Sequence, residues 1–191
     1  MSKILENPRA TFAVGFVVAI IIAVLRHGDQ FGTEAFWASI MRYIHVLAGI
    51  LWIGLLYYFN LVQIPSMPKI PDEQKPAIGK VIAPTALFYF RMAAATTVLF
   101  GLLTAGANHY LVQALTFQDG AVTIGIGMWL ALVMAFNVWF IIWPNQKRAL
   151  GIVEADADTK KKSARTAMLT SRINTLLSVP MLYCMVLQKL A

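Results

Sequence analysis

Arg42-Tyr-Ile-His45-Val-Leu-Ala-Gly49-Ile-Leu-Trp52-Ile-Gly54 lies in an apolar run from about Phe36 to Val62. In a helix, residues three and four positions apart share one face, so this segment carries a cation, an imidazole, a glycine and an indole on a single stripe: Arg42, His45, Gly49 and Trp52. Ionisable groups within an apolar spanning helix are costly and usually face a bundle interior or a polar ligand. The stripe is therefore the first candidate for a functional site.

The composition is typical of an integral membrane protein. Of the 191 residues, 59% are hydrophobic and 13% are charged, and the mean hydropathy is +0.66. About 20 apolar residues are needed to cross a bilayer. Candidate segments lie at about 11–25, 36–62, 81–107, 121–143 and 166–188. We therefore predict an all-α integral membrane protein, a single polytopic domain over residues 1–191 with five transmembrane helices in an up-and-down bundle.

The positions of the cations predict the orientation of this bundle. Five crossings place most of them on one side: Lys3, Arg9, Lys69, Lys75, Lys80, Lys147, Arg148, Lys160, Lys161, Lys162 and Arg165. The other side has Arg26 and Lys189. The positive-inside rule then places the N-terminus in the cytoplasm. We expect a multi-pass protein of the bacterial inner membrane, in contact with lipids, and no nucleic-acid partner, because the net charge of +7 reports topology.

Arg91 lies about ten residues into the third segment, near the middle of the membrane. All acidic residues fall in predicted loops or at the ends of the chain, so this guanidinium has no carboxylate partner within the helices. It must be satisfied by carbonyls, water or an anionic ligand. Two interpretations stay open at this point: an anionic ligand or cofactor, and a structural clamp on backbone carbonyls.

Other polar residues within or beside the segments have two interpretations each. His109, at the predicted outer end of the third segment, either reaches into the bundle or marks the membrane interface beside Tyr110. Five polar residues lie in the cytoplasmic half of the predicted spans, and we predict that they form an interhelical cluster that serves either packing or chemistry: Asn60, Gln63, Asn137, Arg172 and Asn174. Gly125 and Gly127 favour close helix approach in the fourth segment. Pro144 predicts a sharp end to that helix.

The residue types present favour redox chemistry. There is one cysteine, Cys184, and the sequence contains no phosphate-binding glycine loop, nucleophile elbow or HExxH, which disfavours hydrolysis and phosphoryl transfer. An embedded imidazole with arginines suits haem b, because neutral imidazole ligates iron and guanidinium pairs with propionates. In this hypothesis His45 is the axial ligand and the one metal ligand, and four residues complete the cofactor site: Arg42 at a propionate, Gly49 beside the macrocycle, Trp52 at its edge, and His109. The alternative stays open that His45 serves packing or hydrogen bonding, which is the commoner role of a lone histidine on a membrane helix.

Three strings of the sequence resemble the membrane domain of bacterial urate hydroxylases of the PuuD type, whose N-terminal part defines the urate oxidase N-terminal family. They are Tyr43-Ile-His45-Val-Leu-Ala-Gly49-Ile-Leu-Trp52-Ile-Gly54, Asn137-Val-Trp-Phe-Ile-Ile-Trp-Pro144-Asn145-Gln146-Lys147 and Asn174-Thr-Leu-Leu-Ser-Val-Pro180-Met-Leu. The resemblance implies a membrane oxidoreductase that oxidises urate towards 5-hydroxyisourate and passes electrons to a c-type cytochrome. The candidate catalytic residues are Arg91 and Asn137. The resemblance also implies that Pro144, Asn145 and Gln146 belong to the functional part of the family pattern, without giving a role to each.

Proteins of this type usually continue into a cytochrome c domain, and this sequence contains no Cys-x-x-Cys-His. We interpret it as a short form that uses an external cytochrome as electron acceptor. The last matching helix of the family tends to carry histidines where this sequence has Ile173 and Lys189. Two alternatives stay open: a non-catalytic accessory subunit of a larger respiratory or photosynthetic membrane complex, and a protoporphyrinogen oxidase of the HemJ type.

Overall fold

The structure is a computed structural model that describes residues 2–187, and every regular element in this range is helical. The prediction of an all-α protein is confirmed. There are five long helices: α1 Pro8–His27, α2 Glu34–Tyr57, α3 Ala83–Ala107, α4 Val122–Phe136 and α5 Ala157–Leu187. Lys189 and position 188, the last of the predicted fifth span, lie outside the described residues.

Shorter helical pieces extend or connect the long helices. The α-helical and 3₁₀ pieces are Ser2–Leu5, Gly28–Gln30, Ile64–Ser66, Met67–Lys69, Lys75–Ala77, Leu111–Leu115 and Trp143–Ala149. Three pieces are π-helical: Tyr58–Gln63, Ile78–Ile82 and Asn137–Ile142.

Four continuous helical stretches are long and apolar enough to cross a membrane: Pro8–Gln30, Glu34–Lys69, Lys75–Ala107 and Val122–Ala149. These stretches contain or largely cover the first four predicted segments. By length and composition, they are helices of a membrane protein. Helix α5 is 31 residues long but more polar on average, and it is not one of the four.

The chain folds as two units that divide between Ile40 and Met41. In the first unit Asn7 caps α1, since its side-chain oxygen accepts hydrogen bonds from the N–H groups of Arg9 and Ala10. No side chain of α1 is buried, and Phe12 and Leu25 are 69% and 77% exposed. A helix with apolar side chains exposed on all faces is suited to lipid contact.

The core of the second unit is formed where α2, α3 and the fourth spanning stretch meet. Its largest fully buried side chains include Trp52, Leu56, Phe90 and Met134. The rings of Phe59 and Phe90 meet edge to face with centroids 5.7 Å apart. Helices α2 and α3 are antiparallel, because residue 59 meets residue 90 whereas residue 45 meets residue 97.

Helix α5 packs along α4 through polar and small residues. The Asn137 side-chain N–H donates to Asn174 Oδ1 at 2.8 Å, and the Asn174 side-chain N–H donates to the Met134 carbonyl at 2.9 Å. Nearer the other end of α5, a Cβ added to Gly127 would lie 2.9 Å from Cys184 Cβ. Since residue 137 contacts residue 174 and residue 127 contacts residue 184, α4 and α5 are antiparallel. The close helix approach predicted for Gly127 is confirmed.

The predicted interhelical polar cluster forms in part. Asn137 and Asn174 are joined directly, and the Asn60 side-chain N–H donates to Ser171 Oγ of α5 at 2.8 Å. Arg172 is exposed and takes no part in these hydrogen bonds. Polar pairs of this kind each contribute about 0.6 kcal/mol to helix association in membranes.

Each π-helical piece comes shortly before a proline. In all three, the residue preceding the proline donates its N–H to the carbonyl five positions earlier: Ile64 to Phe59, Ala83 to Ile78, and Trp143 to Val138. A proline ring clashes with the carbonyl four positions before it, and the wider π turn moves that carbonyl aside. The prediction that Pro144 ends its helix is therefore wrong, because the helix continues to Ala149.

Candidate cofactor cavity

A cavity of about 560 Å³ lies in the second unit, with walls supplied by α2, α3, α4 and α5. This volume is within the range of small-molecule and cofactor sites. The whole predicted stripe lines it: Arg42, His45, Gly49 and Trp52. Most other lining residues are aliphatic or methionine, so a mainly apolar ligand with a few polar groups fits the walls.

His45 is held in one orientation by α3. Its Nδ1 lies 2.7 Å from the carbonyl oxygen of Thr97, and since a carbonyl can only accept, Nδ1 carries the proton. The lone pair of the neutral imidazole is then on Nε2. Histidines that ligate metals nearly always donate their other N–H in this way, to a carbonyl or carboxylate. The geometry therefore leaves Nε2 as the one ring nitrogen of His45 with a lone pair to share.

Gly101 makes this orientation possible. A Cβ added to Gly101 would lie 2.9 Å from both Cε1 and Nδ1 of the His45 ring, closer than real Cβ atoms approach. At Gly49, which we predicted to leave space for a macrocycle, an added Cβ would meet only Thr97 Cγ2, at 3.7 Å. Of these two cavity glycines, Gly101 has the tighter steric requirement.

We expect Gly101→Ala to lower the thermal unfolding midpoint, because the new methyl group displaces the His45 ring and breaks its hydrogen bond to Thr97. Overpacking of this kind costs about 1–3 kcal/mol. Gly106→Ala is the matched control on α3, since a Cβ there meets nothing within 4 Å. Alanine favours a helix over glycine by about 0.5–1 kcal/mol, so the control midpoint should rise slightly. Equal shifts in the two variants would contradict the proposed contact.

A cation and a phenol lie together at one end of the cavity. Arg42 Nη2 donates to Asn108 Oδ1 at 3.3 Å, and both Arg42 and Tyr110 line the cavity. Burial raises the pKa of Tyr110, an effect that the nearby Arg42 charge opposes. The Tyr110 hydroxyl therefore stays protonated at neutral pH, and this end of the cavity presents a guanidinium and a hydroxyl donor to an anionic group.

Trp52 contributes a buried indole to the cavity wall. Its Nε1 is enclosed by protein and has no hydrogen-bond partner there. Leaving a buried N–H without an acceptor costs about 1–3 kcal/mol. Because this nitrogen has essentially no accessible surface, the contribution of Trp52 to the cavity is the packing surface of its ring.

The remaining predicted site residues lie outside the cavity lining. Arg91 and Asn137 are buried in the other half of the unit, with Asn137 hydrogen-bonded to Asn174. His109 is exposed and has a left-handed backbone, with φ of 60°. The structure thus brings together four of the predicted cofactor residues, all from one helix, and separates them from the two candidate catalytic residues.

Sequence reasoning missed three partners on the opposite wall: Thr97 and Gly101 of α3, and Tyr110, which precedes the helix Leu111–Leu115. The sequence contains no signal for the Thr97 carbonyl, because a main-chain acceptor is independent of residue type. Gly101 offers a weak signal as a glycine inside an apolar helix, where a close approach is one of the reasons for its presence.

The donors in the cavity fit haem better than a metal bound by several side chains. Within residues 2–187 no three His, Cys, Asp or Glu side chains come together to hold an ion. One prepared imidazole, apolar walls and a cation at one end match the needs of an iron porphyrin, in which the macrocycle itself supplies four ligands. The residues present therefore fit this cofactor.

The fold and the cavity define a class: a helical membrane protein with a mainly apolar cavity, open to one side of the bundle, and one histidine in its wall that is fixed on a backbone carbonyl. The family model described as urate oxidase N-terminal matches residues 81–190, more than half of the chain. The chain belongs to the urate oxidase N-terminal family. No curated protein and no solved structure matches it.

Proposed function

We propose that this protein is a haem-b-binding membrane oxidoreductase that oxidises urate and passes the electrons to a c-type cytochrome. The observation that carries the proposal is the His45 ring, whose Nδ1 is fixed on the Thr97 carbonyl while its Nε2 is left available in a family member with a suitable cavity. When bound, haem supplies one-electron redox chemistry.

The chain's own residues would each perform one task at this cofactor. His45 would ligate the iron through Nε2, with Thr97 preserving the required tautomer. Arg42, with the neutral Tyr110 hydroxyl beside it, would hold a propionate at the end of the cavity where both residues lie. Trp52 would pack its buried indole beside the occupant.

The stoichiometry of the oxidation determines how many electrons the cytochrome partner must accept. Conversion of urate to 5-hydroxyisourate adds the oxygen of one water and releases two electrons and two protons. A c-type cytochrome accepts one electron at a time, so two molecules are reduced for each urate. The protein must therefore expose a docking surface for the cytochrome on the side of the membrane where that partner is found.

We further propose that the chain crosses the bacterial inner membrane five times with a cytoplasmic N-terminus. Contacts of α5 with α4 in antiparallel register support the last crossing, because residues 174 and 184 lie beside residues 137 and 127 of the fourth stretch. A helix paired along a spanning helix shares its depth in the membrane. With the N-terminus inside, the cations near the N-terminus and in the second and fourth connections lie on the cytoplasmic side, as the positive-inside rule requires.

The test is a reduced-minus-oxidised visible spectrum of detergent-purified protein with pyridine haemochrome quantitation, followed by urate-dependent reduction of added cytochrome c. We expect about one haem b per chain and reduction that depends on urate. Protein purified without haem from a haem-replete host would overturn the proposal in favour of an accessory subunit. Accumulation of protoporphyrinogen in a deletion strain, without a defect in urate consumption, would favour a protoporphyrinogen oxidase.

A further inference from the structure

We propose that the outward face of α5 is a binding site for a phospholipid with an anionic headgroup. This face carries a stripe of three cations and three aliphatic side chains, which we call the α5 stripe: Lys161, Arg165, Leu169, Arg172, Leu176 and Val179. The proposal rests on the exposure, charge and spacing of these residues, and it is independent of the proposed cofactor and substrate.

The α5 stripe is a continuous exposed face of the helix. Its residues follow one another at intervals of three or four, so they lie above one another on one side. The three cations are exposed, and Leu169, Leu176 and Val179 are 44%, 69% and 65% exposed. The opposite face of α5 is buried, with Ala167 in the core and Asn174 hydrogen-bonded to the fourth spanning stretch. The stripe is therefore directed away from the helices against which α5 packs.

The packing of α5 on the fourth spanning stretch determines the depth of the cations. Residue 174 bonds to residue 137 and residue 184 lies beside residue 127, so ten residues along one helix correspond to ten residues back along the other. In this register Arg165 is level with residue 146, close to the Ala149 end of the stretch Val122–Ala149. Arg165 is therefore at headgroup level, and Arg172 is about two turns deeper among apolar side chains.

No described residue neutralises these cations. Lys161, Arg165 and Arg172 form no side-chain hydrogen bond or ion pair within the described part of the chain, where the one ion pair joins Lys75 to Asp72. A charge at the depth of Arg172 is costly unless it meets an anion or reaches the interface. Its long side chain can extend towards the level of Arg165, which brings two guanidinium groups to the same region. Guanidinium groups bind phosphate oxygens through paired hydrogen bonds.

The order of residues along the stripe favours a phospholipid over a free anion. Arg165 and Arg172 are seven residues apart, or about 10 Å along the axis, so both side chains can reach one phosphate held above Leu169. Beyond Arg172 the stripe is apolar, with Leu176 and Val179 at the depth of an acyl chain. Helix α5 has 31 residues and a length of about 46 Å, which exceeds the roughly 30 Å of bilayer hydrocarbon and leaves its basic end among the headgroups.

The charge of the stripe selects among phospholipids. A zwitterionic headgroup adds a quaternary or primary ammonium group beside its phosphate, and this group would be repelled by the three unpaired cations. An anionic headgroup such as that of phosphatidylglycerol carries the phosphate charge alone. Clusters of basic residues next to spanning helices attract anionic lipids in this way. We therefore expect phosphatidylglycerol to be preferred over phosphatidylcholine.

The experiment is native mass spectrometry of the full-length protein in non-ionic detergent, titrated with phosphatidylglycerol or with phosphatidylcholine of the same acyl chains. We expect phosphatidylglycerol to bind about tenfold more tightly. Arg165→Gln/Arg172→Gln should remove this preference, whereas Arg165→Lys/Arg172→Lys should retain most of it. The matched control is Arg9→Gln/Arg26→Gln, which removes two exposed arginines at the ends of α1 and should leave the preference unchanged.

Equal binding of the two lipids by the unsubstituted protein would overturn the proposal, as would an unchanged preference in Arg165→Gln/Arg172→Gln. Loss of the preference in the α1 control would attribute it to net charge and overturn the site. Inorganic phosphate and glycerol 3-phosphate should displace little phosphatidylglycerol, and displacement at concentrations similar to that of the lipid would overturn the assignment to a lipid. If the double variant does not fold, Arg165→Gln alone decides, with a several-fold loss of preference expected and no loss overturning the site.

Discussion

Purified His45→Ala protein is expected to contain no haem, and the unsubstituted protein is expected to contain about one per chain. Among the residues that line the cavity, His45 is the one histidine, and its Nδ1 is committed to the Thr97 carbonyl. Loss of an axial ligand from an apolar cavity removes the main anchor of the cofactor. The measurement is the Soret absorbance at equal protein concentration, with urate-dependent cytochrome c reduction falling to background.

Two further variants separate ligation from folding. In His45→Asn the side-chain N–H lies where Nδ1–H lies in histidine and can still donate to Thr97. The free energy of unfolding should therefore change by no more than the contribution of one neutral hydrogen bond, about 0.5–1.5 kcal/mol, yet the protein should contain no haem. His27→Ala removes an exposed histidine of α1 and should retain haem. Near-stoichiometric haem in His45→Ala would contradict the assignment and direct the search to another ligand, with His109 first.

The sequence was sufficient to predict the membrane class and one wall of the cavity. Hydropathy predicted five segments, and four of them correspond to stretches long and apolar enough to span a membrane. Helical spacing alone predicted that Arg42, His45, Gly49 and Trp52 share one face, and all four line the cavity. Periodicity within a helix depends only on local geometry, so these inferences needed no knowledge of the neighbouring helices.

The opposite wall required the structure. Which residue of α3 meets His45 depends on the register between two helices, and that register is set by packing such as the Phe59–Phe90 contact. For the same reason the sequence suggested an unpaired Arg91 but not its position above Trp143. The helix after Pro144 was also missed, because a proline normally ends a helix and the preceding π turn that accommodates it has no simple sequence signal.

Gly125→Ala is expected to give the largest loss of stability among single-methyl additions in this protein. A Cβ at position 125 would lie 2.1 Å from the Ala114 carbonyl oxygen and 3.2 Å from Phe117 Cδ1. Since a backbone atom cannot rotate away, the whole Leu111–Leu115 helix must move off α4, at a cost near the upper end of the 1–3 kcal/mol typical of overpacking. That movement would also disturb the Trp129 Nε1 to Leu115 carbonyl hydrogen bond of 3.1 Å.

The same displacement connects stability to the cofactor. Tyr110, which lines the cavity beside Arg42, immediately precedes the helix that must move. We therefore expect Gly125→Ala to lower the unfolding midpoint by several degrees and to lose haem faster on dilution into detergent. Gly15→Ala, which adds a methyl group in open space on α1, is the control. It should neither lower the unfolding midpoint nor speed the loss of haem. A Gly125→Ala protein as stable as this control would show that the Leu111–Leu115 helix does not pack on α4 as described.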